Sequence, residues 1–272
     1  GIQSLREEHT MSITVKDIRA KKGFICDMDG VIYHGNHLLP CAKDFFRWLQ
    51  EQDKQYLFLT NSSERTPREL RQKLLRMGLD VEESHFYTSA LATAKFLKAQ
   101  APGCSAFCIG EAGLTNALYE AGISLNDVNP DYVVVGETQN YNYQNLCKAV
   151  RLVENGAKLI GTNSDMTGPT EGNIQVPACR ALVAPIELST GKQAYFLGKP
   201  NPLMMRSGIK HLGCGPSDIA IIGDRMDTDV IAGIESGADT VLVLSGVSTR
   251  ATVDTFPYRP SLILNDVGEI AE

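Results

Sequence analysis

No apolar run in this sequence approaches the ~20 residues that a membrane-spanning helix needs. No block of basic residues gathers along it either, and the formal charge is −6, from 26 Lys and Arg against 32 Asp and Glu. The first absence argues against a membrane span. The second argues against the clustered positive footprint of a nucleic-acid surface. The N-terminal residues Gly1 to Glu8 hold no apolar stretch able to serve as a signal-peptide core. Residues 1–10 are polar and precede a possible start at Met11, so they read as a tail or a remnant. The expectation is a soluble, cytoplasmic protein that works on no membrane and no nucleic-acid polymer.

A disulfide framework is missing as well. The seven cysteines, at 26, 41, 104, 108, 147, 179 and 214, are odd in number and irregular in spacing. Most lie in apolar runs such as Phe24-Ile25-Cys26, as reduced core residues do. Cys104 and Cys108 have no second Cys or His pair to complete a zinc site. His34 and His37 flank Gly35-Asn36, which reads as a turn.

The 272 residues, 43% apolar and 21% charged, suffice for one large domain or two smaller ones. Short β-rich runs at 23–26, 56–60, 106–109, 132–136, 158–162, 219–223, 240–244 and 262–264 alternate with amphipathic stretches. Those at 42–52, 67–77, 89–99 and 143–155 have apolar residues at helical spacing. Alternation of this kind predicts an α/β fold, with parallel sheets covered by helices.

Several strands run straight into polar residues: 24–26 into Asp27-Met28-Asp29-Gly30, 56–59 into Thr60-Asn61, and 219–222 into Gly223-Asp224-Arg225. In open parallel sheets ligands sit beyond the carboxyl ends of strands, so sequence-distant polar groups can meet there. Asp27 and Asp29, two apart on extended chain, can address one site. Asp224 and Asp229 bring two further acids from another strand end. Four carboxylates at one locus repel one another and predict a hard cation with oxygen ligands, for which Mg²⁺ is suited. An EF-hand is excluded, because Val31-Ile32-Tyr33 follows where further acids are required. Lys199, after the apolar segment Tyr195-Phe196-Leu197, would offset the acids and hold a phosphoryl group. Thr60 and Asn61 would donate to phosphate oxygens.

The ordered set Asp27-x-Asp29-Gly30, Thr60-Asn61, Lys199 and Gly223-Asp224-x-x-x-Thr228-Asp229 resembles the four motifs of the haloacid-dehalogenase (HAD) superfamily of phosphohydrolases. Phe86-Tyr87-Thr88-Ser89-Ala90, Val128-Asn129-Pro130-Asp131, Val135-Gly136-Glu137-Thr138, Pro177-Ala178-Cys179 and Val243-Leu244-Ser245-Gly246 resemble the NagD-like subfamily. That subfamily includes ribonucleotide monophosphatases and 4-nitrophenyl phosphatases. The resemblance implies that Asp27 is a nucleophile forming an aspartyl-phosphate, and that Asp29 protonates the leaving oxygen and then activates water. It implies Mg²⁺ held by the Asp27 carboxylate, the Asp29 main-chain carbonyl and Asp224, with Asp229 orienting a metal-bound water or Lys199. Thr60, Asn61 and Lys199 would hold the phosphoryl oxygens, with Asp29 also at the substrate. Arg225, Met226, Asp227 and Thr228 would line the same pocket.

Between Asn61 and Lys199 the chain is far longer than one crossover needs. The expectation is a Rossmann-like HAD core over 11–91 and 189–272, with an inserted α/β cap at 92–188 that selects the substrate. Through the cap, by resemblance, two copies can pair as a homodimer. Ser164 stands where the subfamily usually has proline, and 166–176 departs from its shorter, more aromatic segment. That stretch reads equally as a surface loop or a pocket rim.

The resulting expectation is a Mg²⁺-dependent phosphomonoester hydrolase for small phosphorylated metabolites, with nucleoside monophosphates such as UMP first and 4-nitrophenyl phosphate also hydrolysed. Phosphosugar, phosphoglycolate and pyridoxal-phosphate hydrolysis are alternatives with the same chemistry. A phosphate-ligand sensor without catalysis is the alternative from another class, although binding alone would not require Asp29. No Gly-x-Gly-x-x-Gly follows the first strand, which argues against a dinucleotide-binding module.

Overall fold

The computed structural model describes residues 12–272, so the tail expected over residues 1–10 lies outside the described residues. The chain divides into two compact units. One is the described chain from residue 12 up to Leu57 together with Gly208–Glu272, and the other is Phe58–Ser207.

In the first unit four strands pair in parallel, in the spatial order Leu262–Leu264, Asp239–Val243, Ile219–Gly223 and Gly23–Asp27. Phe24, Ile25 and Cys26 are at most 1% exposed, and Ile219 to Ile222 at most 2%. Such continuous apolar runs, rather than alternating ones, are what strands covered on both faces require. The register sets Cys26 opposite Ile222 and Ile222 opposite Val241. Asp27 and Asp224 therefore emerge at the same end of neighbouring strands. Helix Ala42–Glu51 buries Ala42, Phe45, Phe46 and Leu49 along one stripe. Phe24 meets Phe45 and Trp48 edge-on, with centroids 6.4 and 5.4 Å apart, the arrangement aromatic quadrupoles favour.

The second unit carries a five-stranded parallel sheet, ordered Tyr195–Phe196, Lys158–Gly161, Tyr132–Val135, Ser105–Ile109 and Ser124–Leu125. Its alternating side chains build two cores. Ala106, Val134 and Ile160 face Ala94, Leu97, Leu114 and Leu118 from the helices Ser89–Gln100 and Ala112–Glu120. Ile109, Val133, Val135 and Leu159 face Ala149, Leu152, Val183 and Ile186 from Tyr143–Glu154 and Cys179–Thr190. The region expected as the insertion, 92–188, falls within this unit. The residues 58–60 at the end of strand Gln55–Thr60 pair in parallel with Phe86–Thr88. Helix Pro67–Met77 follows, and its start is written locally: Thr66 and Glu69 form a capping box and Pro67 occupies the first turn. Gly78, at φ 99°, ends it in the left-handed conformation.

The α/β fold with parallel sheets is as the sequence pattern predicts. The eight anticipated strands all form, most with ends shifted by one residue. All seven cysteines are unpaired. His34 and His37 face each other across the two-residue turn Gly35-Asn36. Among the described residues, no helix is long and apolar enough to cross a membrane.

Candidate active site

Where strand Gly23–Asp27 ends, the chain turns at once. The Met28 carbonyl accepts the N–H groups of Val31 and Ile32 at 3.2 and 2.9 Å, and Gly30 N–H donates to the Tyr33 carbonyl at 2.9 Å. Gly30 sits at φ 80°, a region open to glycine, and a Cβ there would collide with the Asp224 carboxylate.

Strand Ile219–Gly223 delivers Asp224, and the single π-helical turn Met226–Val230 brings Asp229 back toward it. Asp27, Asp224 and Asp229 each present a carboxylate oxygen within 4.8 Å of the other two. One cation with metal–oxygen bonds of about 2.1 Å spans a group of roughly this size. Asp224 and Asp229 are 4% and 2% exposed. Close-set buried carboxylates repel one another, and a hard cation relieves that repulsion. The all-oxygen donor set fits such a cation rather than a thiophilic one.

Neighbouring main-chain and hydroxyl groups fix these residues. Asp224 Oδ2 accepts Val247 N–H at 3.1 Å, and the Asp224 carbonyl accepts the Ser248 hydroxyl at 2.6 Å. Asp229 Oδ2 accepts Arg225 N–H at 3.3 Å. Gly223 and Gly246 leave the room: a Cβ on either would run into Asp229 or Asp224.

The other residues anticipated in this unit have varied surroundings. The Asp29 carboxylate is exposed and stands outside the three-acid group, so three acids converge rather than four. Asp229 belongs to the group itself, not only to its surroundings. Arg225 and Asp227 pair with each other, Nε to Oδ1 at 3.1 Å and Nη2 to Oδ2 at 3.0 Å. That guanidinium holds the Asp227 carboxyl below its ordinary range. Met226, expected at the pocket, is instead a core residue. It is 1% exposed, packed with Val230, Leu242 and Val253, and its carbonyl accepts the Tyr258 hydroxyl at 2.9 Å. A thioether gains more among apolar neighbours than beside a charged phosphate. Thr228 is buried in the same turn.

In the second unit the structure brings Asn61 and Lys199 together. Asn61 Oδ1 accepts Lys199 N–H at 2.8 Å, and Nδ2 donates to the Lys199 carbonyl at 2.9 Å and to Asp165 Oδ2 at 3.1 Å. Both amide hydrogens of Asn61 are thus engaged, where a donor to phosphate oxygens was expected. Thr60 Oγ1 accepts Ser62 N–H at 3.1 Å and keeps its own hydrogen to donate. Lys199 is 2% exposed. A Cβ at Gly198 would meet Asn61 Oδ1 and Asn163 Cβ at 2.6 Å, so glycine permits the close approach of these loops.

Sequence reasoning missed the buried group beneath them. Glu137 follows the strand Tyr132–Val135 and accepts Ser63 N–H at 3.0 Å and Asn163 Nδ2 at 2.7 Å. The Ser63 and Thr162 hydroxyls stand 3.3 and 3.2 Å from its Oε1. Burial pushes the Glu137 carboxyl above its ordinary range, against the hydrogen bonds from Ser63 and Asn163 that lower it. The signal was present: polar residues follow 132–136 and 158–162 just as they follow the strands before Asp27 and Asp224. The segment 166–176, read as loop or rim, forms a short antiparallel hairpin of Thr167–Pro169 with Gln175–Pro177, and Met166 and Ile174 are exposed.

Comparison with known proteins gives this geometry a context. The family described as haloacid dehalogenase-like hydrolase matches residues 24–124, and the HAD-hydrolase-like family matches 196–270. Dihydroxyacetone phosphatase of Corynebacterium glutamicum is 42% identical over 249 residues, covering 92% of this chain and 90% of that protein. Ribonucleotide monophosphatase NagD of Escherichia coli is also 42% identical, covering 92% of this chain and 98% of its own length. The solved NagD structure superposes with a TM-score of 0.87 at 41% sequence identity, over 92% of this chain and 98% of the other. A 4-nitrophenylphosphatase from Thermotoga maritima reaches 0.89 at 32% identity, over 95% and 98%. Identity of this extent, over sheets and strand ends of this kind, leaves one conclusion: the chain belongs to the haloacid dehalogenase-like hydrolases and is a phosphatase of the NagD-like group.

Proposed function

We propose that the chain is a Mg²⁺-dependent phosphomonoester hydrolase that works through an aspartyl-phosphate on Asp27, with small phosphorylated metabolites as substrates. The grouping of Asp27, Asp224 and Asp229 at the carboxyl ends of neighbouring parallel strands carries this reading. These carboxylates, with the Asp29 main-chain carbonyl, would hold the cation. When bound, the cation supplies positive charge that offsets the phosphate and the developing charge of transfer.

The chain's own residues do the rest. An Asp27 carboxylate oxygen bonds to phosphorus as the ester oxygen leaves, and Asp29 gives that oxygen a proton. Asp29, now ionised, takes a proton from the water that attacks the aspartyl-phosphate, which releases phosphate and restores Asp27. Thr60 and Lys199 serve the phosphoryl oxygens, Thr60 by its hydroxyl hydrogen and Lys199 by its charge. Asn61, its amide engaged by Lys199 and Asp165, serves by holding Lys199 rather than by touching phosphate. Arg225 and Asp227, paired with each other, edge the pocket beside Thr228.

Nucleoside monophosphates are the first substrate class we propose. A small phosphosugar or triose phosphate is the second, favoured by the equal 42% identity to a dihydroxyacetone phosphatase. The test is hydrolysis of 4-nitrophenyl phosphate with Mg²⁺ and with a chelator, then a kcat/KM comparison of UMP with triose and sugar phosphates. Turnover that needs the metal and disappears in Asp27→Asn is expected. Turnover without any divalent cation, or retained by folded Asp27→Asn, defeats the proposal.

A further inference from the structure

Glu137 has no part in the reaction as described, yet among the described residues it is the most enclosed acid of the second unit, 9% exposed. Its carboxylate stands where loops from three strand ends meet. Ser63 comes from the loop after Gln55–Thr60, Glu137 itself follows Tyr132–Val135, and Thr162 and Asn163 follow Lys158–Gly161. The donors here are of two kinds. Ser63 N–H is main chain and cannot reverse. Asn163 Nδ2 is committed as a donor twice, to Glu137 Oε1 at 2.7 Å and to the Asn61 carbonyl at 2.6 Å, while Asn163 Oδ1 accepts Asp165 N–H at 3.1 Å. An amide flip at Asn163 would set oxygen against oxygen and lose the Asp165 bond. The site is therefore built for an acceptor on both carboxylate oxygens.

From Asn163 the connection continues without a gap. The Asn61 carbonyl is held by Asn163 and by the Ser89 hydroxyl, the latter at 2.6 Å. The Asn61 side chain clasps the Lys199 main chain from both sides. We propose that Glu137 is a positioning residue for Lys199, acting through Asn163 and Asn61 to set where that lysine stands toward a phosphoryl group. The inference rests on the phosphatase reading above and adds to it a residue that touches neither substrate nor metal.

Glu137→Gln replaces one acceptor oxygen by an NH₂ group that must face a fixed donor, Ser63 N–H or Asn163 Nδ2, and it changes almost no volume. Asn163→Ala cuts the same connection one step later and leaves Glu137 its other partners. Each should raise KM for 4-nitrophenyl phosphate about tenfold, with a smaller loss in kcat, because a displaced lysine weakens phosphoryl binding. A merely structural role lowers the folded fraction and so the apparent kcat, and it leaves KM alone. A cycle with Asn61→Ala separates the two further: if the effect passes through Asn61, Glu137→Gln adds less than about twofold once Asn61 is gone.

Far-UV circular dichroism and melting temperature establish that each variant folds. Raised KM with non-additivity in either folded variant supports the proposal. Unchanged KM in folded variants, or losses that multiply, overturns it while the phosphatase reading stands. If Glu137→Gln does not fold, Asn163→Ala carries the decision by the same criteria. If neither folds, the group is a folding determinant and the proposal is overturned. Absence of metal-dependent turnover in the parent protein defeats the phosphatase reading instead and takes this inference with it.

Discussion

Asn61 holds Lys199 by both main-chain polar groups, accepting its N–H at 2.8 Å and donating to its carbonyl at 2.9 Å. Only a side chain with an acceptor and a donor on one planar group can do this, which explains asparagine here better than a general need for polarity. The relation also spans 138 positions of sequence, so local pattern does not express it.

Asn61→Asp is the sharpest probe of that clasp. It keeps the shape and the Oδ1 acceptor but turns the donor toward the Lys199 carbonyl and Asp165 into a second acceptor. Opposed oxygens cost ~1–3 kcal/mol, more where charged. Activity toward an aryl phosphate should fall at least about thirtyfold, and steady-state kinetics on the folded variant checks it.

Gly246→Ala tests the support of the acid group. The new Cβ would meet the Asp224 side chain near its own Cβ and carboxyl carbon, where a rotamer change cannot clear it. Asp224 must shift, and a displaced carboxylate would hold the proposed cation less well. The Mg²⁺ concentration giving half-maximal activity should rise about tenfold, within the range seen when groups supporting metal ligands are disturbed. Titration of activity with Mg²⁺ reads this directly.

Thiol reactivity separates the cysteines by burial. Burial pushes the Cys108 and Cys179 thiols up to about 12, with the charge of Glu137 adding to the rise at Cys179. Cys147 is exposed. Because the thiolate is the nucleophile, brief alkylation at pH 8 should mark Cys147 and spare Cys108 and Cys179 until the protein is unfolded. Mass spectrometry of tryptic peptides supplies the readout.

The Glu137 carboxyl gives stability a pH dependence of defined sign. Its folded value is raised from the ordinary 4.5, mainly by burial and partly by Glu64. Above that ordinary value the unfolded chain has released the proton while the folded protein still holds it. The group's contribution to stability therefore falls as pH rises through the window between the two values. Glu137→Gln removes this slope. The stability of the parent relative to the variant should decrease as pH rises from about 4.5, as measured by urea unfolding at a series of pH values.

Much of the architecture is legible in the linear pattern, because strands buried on both faces must be written as short apolar runs. Helix Pro67–Met77 is bounded by Thr66, Glu69 and Gly78, residues that act on their immediate neighbours. The acids after Gly23–Asp27 and Ile219–Gly223 are legible for the same reason: a parallel register aligns strand ends, so polar residues just past them meet. Met226 was not legible, since whether a residue in a five-residue turn faces the core or the site depends on how that turn winds.

The sequence by itself determined the family and the succession of strands along the chain, and it marked Asp27 as the acid proposed to react, since these depend on residue type and local spacing. Tertiary structure alone decided that Asp229 joins Asp27 and Asp224 while Asp29 stays outside their group. It alone decided that Asn61 holds a lysine and that Glu137 lies beneath both. Those assignments depend on which side chains share a few ångströms after distant strand ends meet, and the energy of a hydrogen bond is set by that geometry rather than by position along the chain.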